Sequence, residues 1–301
     1  MTQATCRSCG AEIGPTDRFC EVCGLRQPTE DDRTERDLGP AAAGVTDRGK
    51  RHPRNEDAFA LRIVDGRAVV AVVCDGVSTS DRPDQAARLA CAAALDTLVE
   101  ALGADTDPGT ATGTAIGAAS KAVIALADPA VVVERAPACT YVSAVATEDT
   151  VVVGWLGDSR AAWLAADATS SSAWLTTDDS WALEMVTSGQ LGYAEAEADP
   201  RAHALTGWLG ADAGEQESTA RLVTVRPTGP GVLLLCSDGL WNYRSGPDEL
   251  AGMIMPDAPQ DPLLAAKTLV QFALDSGGQD NITAAVIPFP PLLSLVRKET
   301  S

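Results

Sequence analysis

Acidic side chains recur where apolar runs begin or end. Glu56-Asp57 precedes one run, Asp75-Gly76 closes Ala68–Cys74, and Gly157-Asp158-Ser159-Arg160 closes Val151–Leu156. Ser237-Asp238-Gly239 closes Val232–Cys236, and Asp280-Asn281 leads into Ile282–Ile287. One Asp-Gly pair after a strand is ordinarily a turn. Several of them gathered at one end of a sheet would repel and raise each other's pKa unless a cation neutralised them. Oxygen ligands without histidine or thiolate select Mg2+ or Mn2+ over zinc. Two such ions sharing a water lower its pKa toward neutrality, which presents a nucleophile to phosphorus while offsetting phosphoryl charge.

A second grouping is local. Cys6-Arg7-Ser8-Cys9 and Cys20-Glu21-Val22-Cys23 are CxxC turns, each followed by a glycine, Gly10 and Gly24. Two thiolates at this spacing grip one ion from a tight turn, glycine relieves the backbone, and two such turns complete a tetrahedral zinc site. All four ligands come from protein, so the zinc is structural and the module serves docking or regulation. Four unrelated or disulfide-bonded cysteines are the competing reading, which a reducing cytoplasm disfavours. The segment resembles the short zinc-ribbon modules at the termini of many bacterial proteins, including Phe19 before the second turn. Cys74, Cys91, Cys139 and Cys236 lie in apolar runs and read as core.

The elements that must position these groups alternate in type. Strand-like runs are Ala58–Val64, Ala68–Cys74, Thr140–Thr147, Val151–Leu156, Ala161–Ala165, Arg221–Val225, Val232–Cys236 and Ile282–Ile287. Helical patterns cover Gln85–Leu102, Thr110–Leu126, Trp181–Ser188 and Pro262–Ser276. Several strands follow one another without a helix between them, which argues for stacked antiparallel sheets with helices outside: an α+β, α-β-β-α sandwich. Segments 166–172 and 193–206 read as flexible surface loops. The polar stretch after Cys23 reads as a solvated tether. The expected division is a zinc ribbon over 1–27, a linker over 28–44, one large domain over 45–290 and a tail over 291–301.

Composition narrows the function. A chain of 301 residues, 45% hydrophobic, buries a full core, and 23 Lys+Arg against 42 Asp+Glu give a net charge of -19. Such a charge excludes general binding to nucleic-acid backbones. The polar start has no secretory pattern, and no apolar run approaches the roughly 20 residues of a membrane helix. No membrane association is expected, and the cytoplasm is the expected location.

Together, Arg54-Asn55-Glu56-Asp57, Cys74-Asp75-Gly76, Gly157-Asp158-Ser159-Arg160, Cys236-Ser237-Asp238-Gly239 and Gly277-Gly278-Gln279-Asp280-Asn281 resemble the ordered motifs of the type 2C (PPM) metal-dependent protein phosphatases. The resemblance runs from about Val45 to Ile287 and implies hydrolysis of phosphoserine and phosphothreonine in proteins by water activated between two Mn2+ or Mg2+ ions. It implies Asp75 as bridging ligand, Gly76 as carbonyl ligand, and Glu56 as a ligand of one ion. Asp57 then supports hydrated ligands, while Asp238 and Asp280 complete the other site. The catalytic set is Asp57, Asp75, Asp238 and Asp280, and Asp158 matches a weak third metal site. Phosphorylated proteins, paired with a cognate Ser/Thr kinase system, are the implied partners.

The sequence departs from that pattern at four places. Where many members carry a phosphate-gripping arginine it has His52, flanked by Arg51 and Arg54, whose guanidinium groups suit phosphate oxygens. Val77-Ser78-Thr79-Ser80 replaces a Gly-Gly or histidine loop, so no general acid is evident there and metal-bound water is the alternative proton source. Asp179 stands for histidine in Leu175–Ser180, and Asn242 replaces a third-site aspartate. His203 is assigned no role. These departures keep an alternative open: a low-activity sensor or scaffold of the same fold that binds a phosphoprotein or kinase.

Overall fold

The computed structural model describes residues 4–293 apart from 7–8, 15–16, 18, 25, 28, 129–134, 167–170, 214–219 and 256. Strands β1 (Ala4–Thr5) and β2 (Glu12–Ile13) form the small N-terminal hairpin. The large domain follows with β3 (Arg33–Asp37), β4 (Ala43–Asp47), β5 (Asp57–Val64) and β6 (Ala68–Asp75). Helices α1 (Pro83–Gly103) and α2 (Pro108–Ile124) come next, then β7 (Ala138–Cys139), β8 (Tyr141–Ala146), β9 (Val151–Leu156), β10 (Arg160–Ala165) and β11 (Ala173–Trp174). A helical insertion, α3 (Trp181–Thr187) and α4 (Tyr193–Glu197), precedes β12 (Leu209–Gly210), β13 (Arg221–Val225) and β14 (Gly231–Cys236). The chain closes with α5 (Asp238–Trp241), α6 (Pro247–Ile254), α7 (Pro262–Asp275) and β15 (Ile282–Phe289).

Two antiparallel sheets dominate, one six-stranded in the order β11-β10-β14-β15-β4-β3 and one five-stranded in the order β13-β9-β8-β6-β5. Their central strands are apolar at most positions because both faces are buried, and side chains alternate between them. In β6, Val70, Val72 and Cys74 face α1 and α2, whereas Val69, Ala71 and Val73 enter the layer between the sheets. In β14, Val232, Leu234 and Cys236 meet α6 and α7, whereas Leu233 and Leu235 enter that same middle layer. This gives the expected α-β-β-α sandwich.

Small residues let the outer helices approach closely. On α1 the buried stripe is Ala87, Ala90, Cys91, Ala94 and Leu98, at helical spacing. A side chain at Gly154 of β9 would meet Thr112 Cγ2 of α2 at 2.6 Å. Asp107 and Asp261 cap α2 and α7 by accepting from Thr110 N at 3.0 Å and Leu264 N at 2.8 Å, each followed by proline at the first helical position. Among the described residues no helix is long and apolar enough to cross a membrane.

Two expectations are corrected. The tether expected over 28–44 contains β3, registered Arg33↔Asp47 to Asp37↔Ala43 against β4, with Ala41, Ala42 and Ala43 fully buried. β3 is an edge strand, so its exposed positions are polar, and Arg33, Glu35 and Lys267 pair across it. Polarity that reads as tether is the guarding of a sheet edge. The flexible loop expected over 193–206 holds α4 and a turn whose Ala196 and Ala202 pack on Ala182 of α3. Part of the loop expected over 166–172, and residues 294–301 of the expected tail, lie outside the described residues.

Candidate active site

Strand pairing brings the acidic segments together. Asp57 opens β5 directly opposite Asp75, which closes β6. Asp158 lies in the β9–β10 turn, Asp238 is the first residue of α5 after β14, and Asp280 precedes β15. Because β14 pairs with both β10 and β15, Arg160↔Cys236 and Cys236↔Ala284, these three carboxylates share one end of their sheet. The cavity above them is about 940 Å³ and includes Asp75, Gly76, Asp158, Asp238 and Asp280 in its lining.

Asp57 is held by its neighbours. Its Oδ2 lies 2.7 Å from the hydroxyls of Ser237 and Thr283, while Oδ1 is buried with no hydrogen-bond partner among the described residues. Asn281 fastens the loop before it, donating to the carbonyls of Arg48 at 2.7 Å and Arg54 at 3.1 Å and accepting from Glu56 N at 2.7 Å. Gly76 lies where a Cβ would be 2.4 Å from Pro83 O and 2.9 Å from Glu56 O, so only glycine permits this close passage.

The electrostatics of the cluster are adverse without a cation. Burial, outweighing the Thr283 and Ser237 hydrogen bonds, pushes Asp57 up to about 6. Burial, then repulsion from Asp57, Asp238, Asp158 and Asp280, raises Asp75 well above the carboxylate range. Asp238 rises through burial and the charges of Asp158, Asp280 and Asp57, and Asp158 reaches about 7 through burial and Asp178. An orphan carboxylate oxygen inside a cluster of mutually repelling carboxylates, all hard oxygen donors, fits divalent Mg2+ or Mn2+.

The expected phosphate-binding residues differ in placement. His52 has Nε2 3.1 Å from Asp280 Oδ1 and Nδ1 3.8 Å from Glu56 Oε2, so it lies among the acidic residues. Arg54 pairs with Glu56 Oε1 at 3.0 Å and Asp84 at 3.5 Å and stays half exposed. Arg51 is exposed and donates to Gln279 Oε1 at 3.3 Å.

The departures from the pattern have structural partners. Ser78 donates to Glu56 Oε2 at 2.5 Å, and Asn242 donates to Asp238 Oδ2 at 3.1 Å. Asp179 accepts from Gly157 N at 2.9 Å and pairs with Arg221, so a carboxylate braces the turn that carries Asp158. Gly157 itself has φ 101, in the region that favours glycine. Arg160 turns away from the cavity, forking onto Asp178 at 2.8 and 2.6 Å and stacking 3.6 Å over Trp241, whose indole donates to Asp158 O at 2.9 Å. Sequence reasoning missed Asp84, Ser237, Thr283, Asp178 and Trp241. Single hydroxyls and an indole carry no periodic signal. His203, given no role from sequence, lines the cavity.

The cysteine site is compact. The four sulfurs of Cys6, Cys9, Cys20 and Cys23 lie within 4.8 Å of one another, and Gly10 and Gly24 follow the two turns at φ 72 and 73. The Ala11 backbone hydrogen bond lowers the Cys9 thiol, yet its hydrogen-bonded neighbours Cys20, Cys23 and Cys6, with slight burial, carry it up to about 12. Thiols this crowded ionise together only around a cation, and four sulfurs in a tetrahedral turn pair fit zinc.

The fold and this carboxylate cavity define a metal-dependent phosphatase architecture. The family model "Protein phosphatase 2C" matches residues 46–255, and the chain belongs to that family. A zinc-ribbon domain model matches residues 5–26. Protein phosphatase PhpP of Streptococcus pneumoniae is 35% identical over 142 residues, 46% of this chain, and the match spans about half of that protein, 53%. Serine/threonine phosphatase stp of Listeria innocua is 27% identical over 252 residues, covering 80% of this chain and 93% of that protein. Among solved structures, the PPM Ser-Thr phosphatase MsPP from Mycobacterium smegmatis in complex with cacodylate superposes with TM-score 0.62 at 28% identity, covering 82% of this chain and 97% of that one. Serine/threonine phosphatase Stp1 from Staphylococcus aureus shares the fold, with TM-score 0.67 at 23% identity over 84% of this chain and 97% of that one.

Proposed function

We propose that this chain hydrolyses phosphoserine and phosphothreonine esters in proteins, with Glu56, Asp57, Asp75, Gly76, Asp238 and Asp280 holding two Mn2+ or Mg2+ ions. The observation that carries the reading is the buried Oδ1 of Asp57, without a hydrogen-bond partner among the described residues, within a cluster of carboxylates that raise one another's pKa. When bound, hard divalent cations supply Lewis acidity to phosphoryl oxygens and make water a better nucleophile at neutral pH. Asp75, paired across from Asp57 and repelled by both Asp57 and Asp238, is the residue we read as the shared ligand. Ser237 and Thr283 fix Asp57, and Ser78 and Arg54 fix Glu56, so the ligand set is oriented before substrate arrives. Arg54, paired with Glu56, and the exposed Arg51 would bring positive charge to an incoming phosphate dianion. Asp158, close to Asp238, offers a weaker third site. Similarity to named serine/threonine phosphatases supports phosphoproteins as substrates and a Ser/Thr kinase system as counterpart. Reduced thiols around a structural zinc suit the cytoplasm.

The test is release of phosphate from phosphothreonine peptides by the purified chain as Mn2+ is titrated. Turnover that rises with Mn2+ is expected, and none at any metal concentration overturns the assignment.

A further inference from the structure

His203 reaches the catalytic cavity from the helical insertion, and its surroundings hold it there. The cavity wall contributed by this segment is His203, Ala204, Leu205 and Trp208, beside Asp158 and Asp238. The imidazole is solvent-accessible, and its centroid is 6.3 Å from that of Trp241, the indole bonded to the Asp158 carbonyl. Its turn is fastened on both sides. Trp181 N donates to Ala204 O at 2.8 Å and Ala182 N to Ala202 O at 3.1 Å, Ala202 is 2% exposed, and Thr206 N donates to Asp179 O at 2.9 Å.

The proposed reaction needs a proton that the other cavity groups are poorly placed to give. A serine or threonine alkoxide is a strongly basic leaving group, so breaking its bond to phosphorus is accelerated by a positioned acid. The carboxylates are occupied as cation ligands, and Ser78 Oγ is spent on Glu56. The chain has two histidines, and His52 is engaged by Asp280 and Glu56. Imidazole is the side chain whose charge changes near neutral pH, and His203 is the one that faces the cavity with no acidic ion-pair partner among the described residues.

Resting on the phosphatase reading above, we propose that His203 is the acid that protonates the departing seryl or threonyl oxygen. Water oxygen bonds to phosphorus as the P–O bond to the side chain breaks. The electron pair of that bond takes the proton of the His203 imidazolium, releasing a neutral alcohol and hydrogen phosphate. The second proton of the attacking water goes to solvent, and solvent returns one to the imidazole. Val77–Ser80 offers no ionisable acid at the end of β6, and the insertion supplies one from another part of the chain.

The leaving group decides the matter. Nitrophenolate departs without a proton, whereas a threonyl oxygen does not. In the Mn2+-loaded full chain, His203→Gln lowers kcat on a phosphothreonine peptide by about 10²-fold, the usual range for general acid catalysis, and leaves kcat on p-nitrophenyl phosphate unchanged. His203→Asn, with an unchanged thermal midpoint, repeats the result and separates it from a folding defect. An equal fall on both esters, no fall on either, or a change confined to KM overturns the proposal while leaving the phosphatase reading intact. Absence of hydrolysis by the unaltered chain removes both.

Discussion

Two clusters of like-charged ligands occupy this chain, and they are assembled in contrasting ways. The cysteine cluster draws on residues 6 to 23, where two short turns and a two-stranded hairpin suffice to gather the sulfurs. The carboxylate cluster draws on residues 56 to 280: pairing within one sheet sets Asp57 opposite Asp75, and pairing within the other brings Asp238 toward Asp280. In the ribbon a bound zinc would supply the missing core, since among the described residues only Cys6, Ile13 and Cys20 form its buried apolar cluster. In the large domain a full core holds the carboxylates together against their own repulsion. Metal loss should therefore unfold the first region and merely disable the second.

The largest expected effect breaks the ribbon. Cys20→Ser abolishes zinc retention and the ribbon's structure, because the binding free energy of a structural zinc, roughly 10 kcal/mol or more, is also its folding free energy. Manganese-dependent hydrolysis of an aryl phosphate by the large domain persists. Zinc content and the ribbon's NMR dispersion read the first outcome, and enzyme assay reads the second. Collapse of the large domain in the same variant would erase the contrast.

Asp75→Asn inverts the pattern. Turnover falls by about 10³-fold, as several kcal/mol of metal-ion stabilisation are withdrawn. Thermal stability of the metal-free protein is held or raised, because one repelling charge has gone. A drop in the metal-free midpoint together with activity would mean that Asp75 is a packing residue. Truncation locates the boundary between the regions. Removing residues 1–28 leaves the urea midpoint of the large domain nearly unchanged, whereas removing 1–40 lowers it, since β3 pairs with β4 through Asp37↔Ala43. Equal midpoints would return the segment to the role of a tether.

The smallest effect is a pH dependence. Asp57 and Asp158 are raised in the folded, metal-free protein from 3.8 to about 6 and about 7. The folded state thus binds protons more readily than the unfolded chain. Their contribution to stability is full below the unfolded pKa and is lost as pH rises through about 6 and about 7. Mn2+ competes with those protons, so its stabilisation of the thermal midpoint is larger at pH 8 than at pH 5. A metal-induced shift independent of pH would contradict the cluster's electrostatics.

What was legible in the sequence follows the same division between local and distant. Val151–Leu156 and Arg221–Val225 were read with the limits the structure gives them, because apolar runs bounded by turn residues report strands directly. β3 was not legible, since a solvent-facing edge and a solvated tether share a polar composition. The CxxC turns announced their site within a few residues. The carboxylates were legible as strand-end aspartates and through family resemblance. The hydroxyls of Ser237 and Thr283, the Asp178–Arg160–Trp241 stack and His203 were not, because their placement depends on strand pairing and on how the insertion folds over the sandwich.

The most direct test of the carboxylate pocket is anomalous diffraction at the manganese edge from crystals of the full chain grown with zinc and soaked in Mn2+. Two manganese peaks are expected among Asp57, Asp75, Asp238 and Asp280, with Asp75 touching both. An empty pocket at saturating Mn2+, or ions bound only elsewhere, would contradict the account.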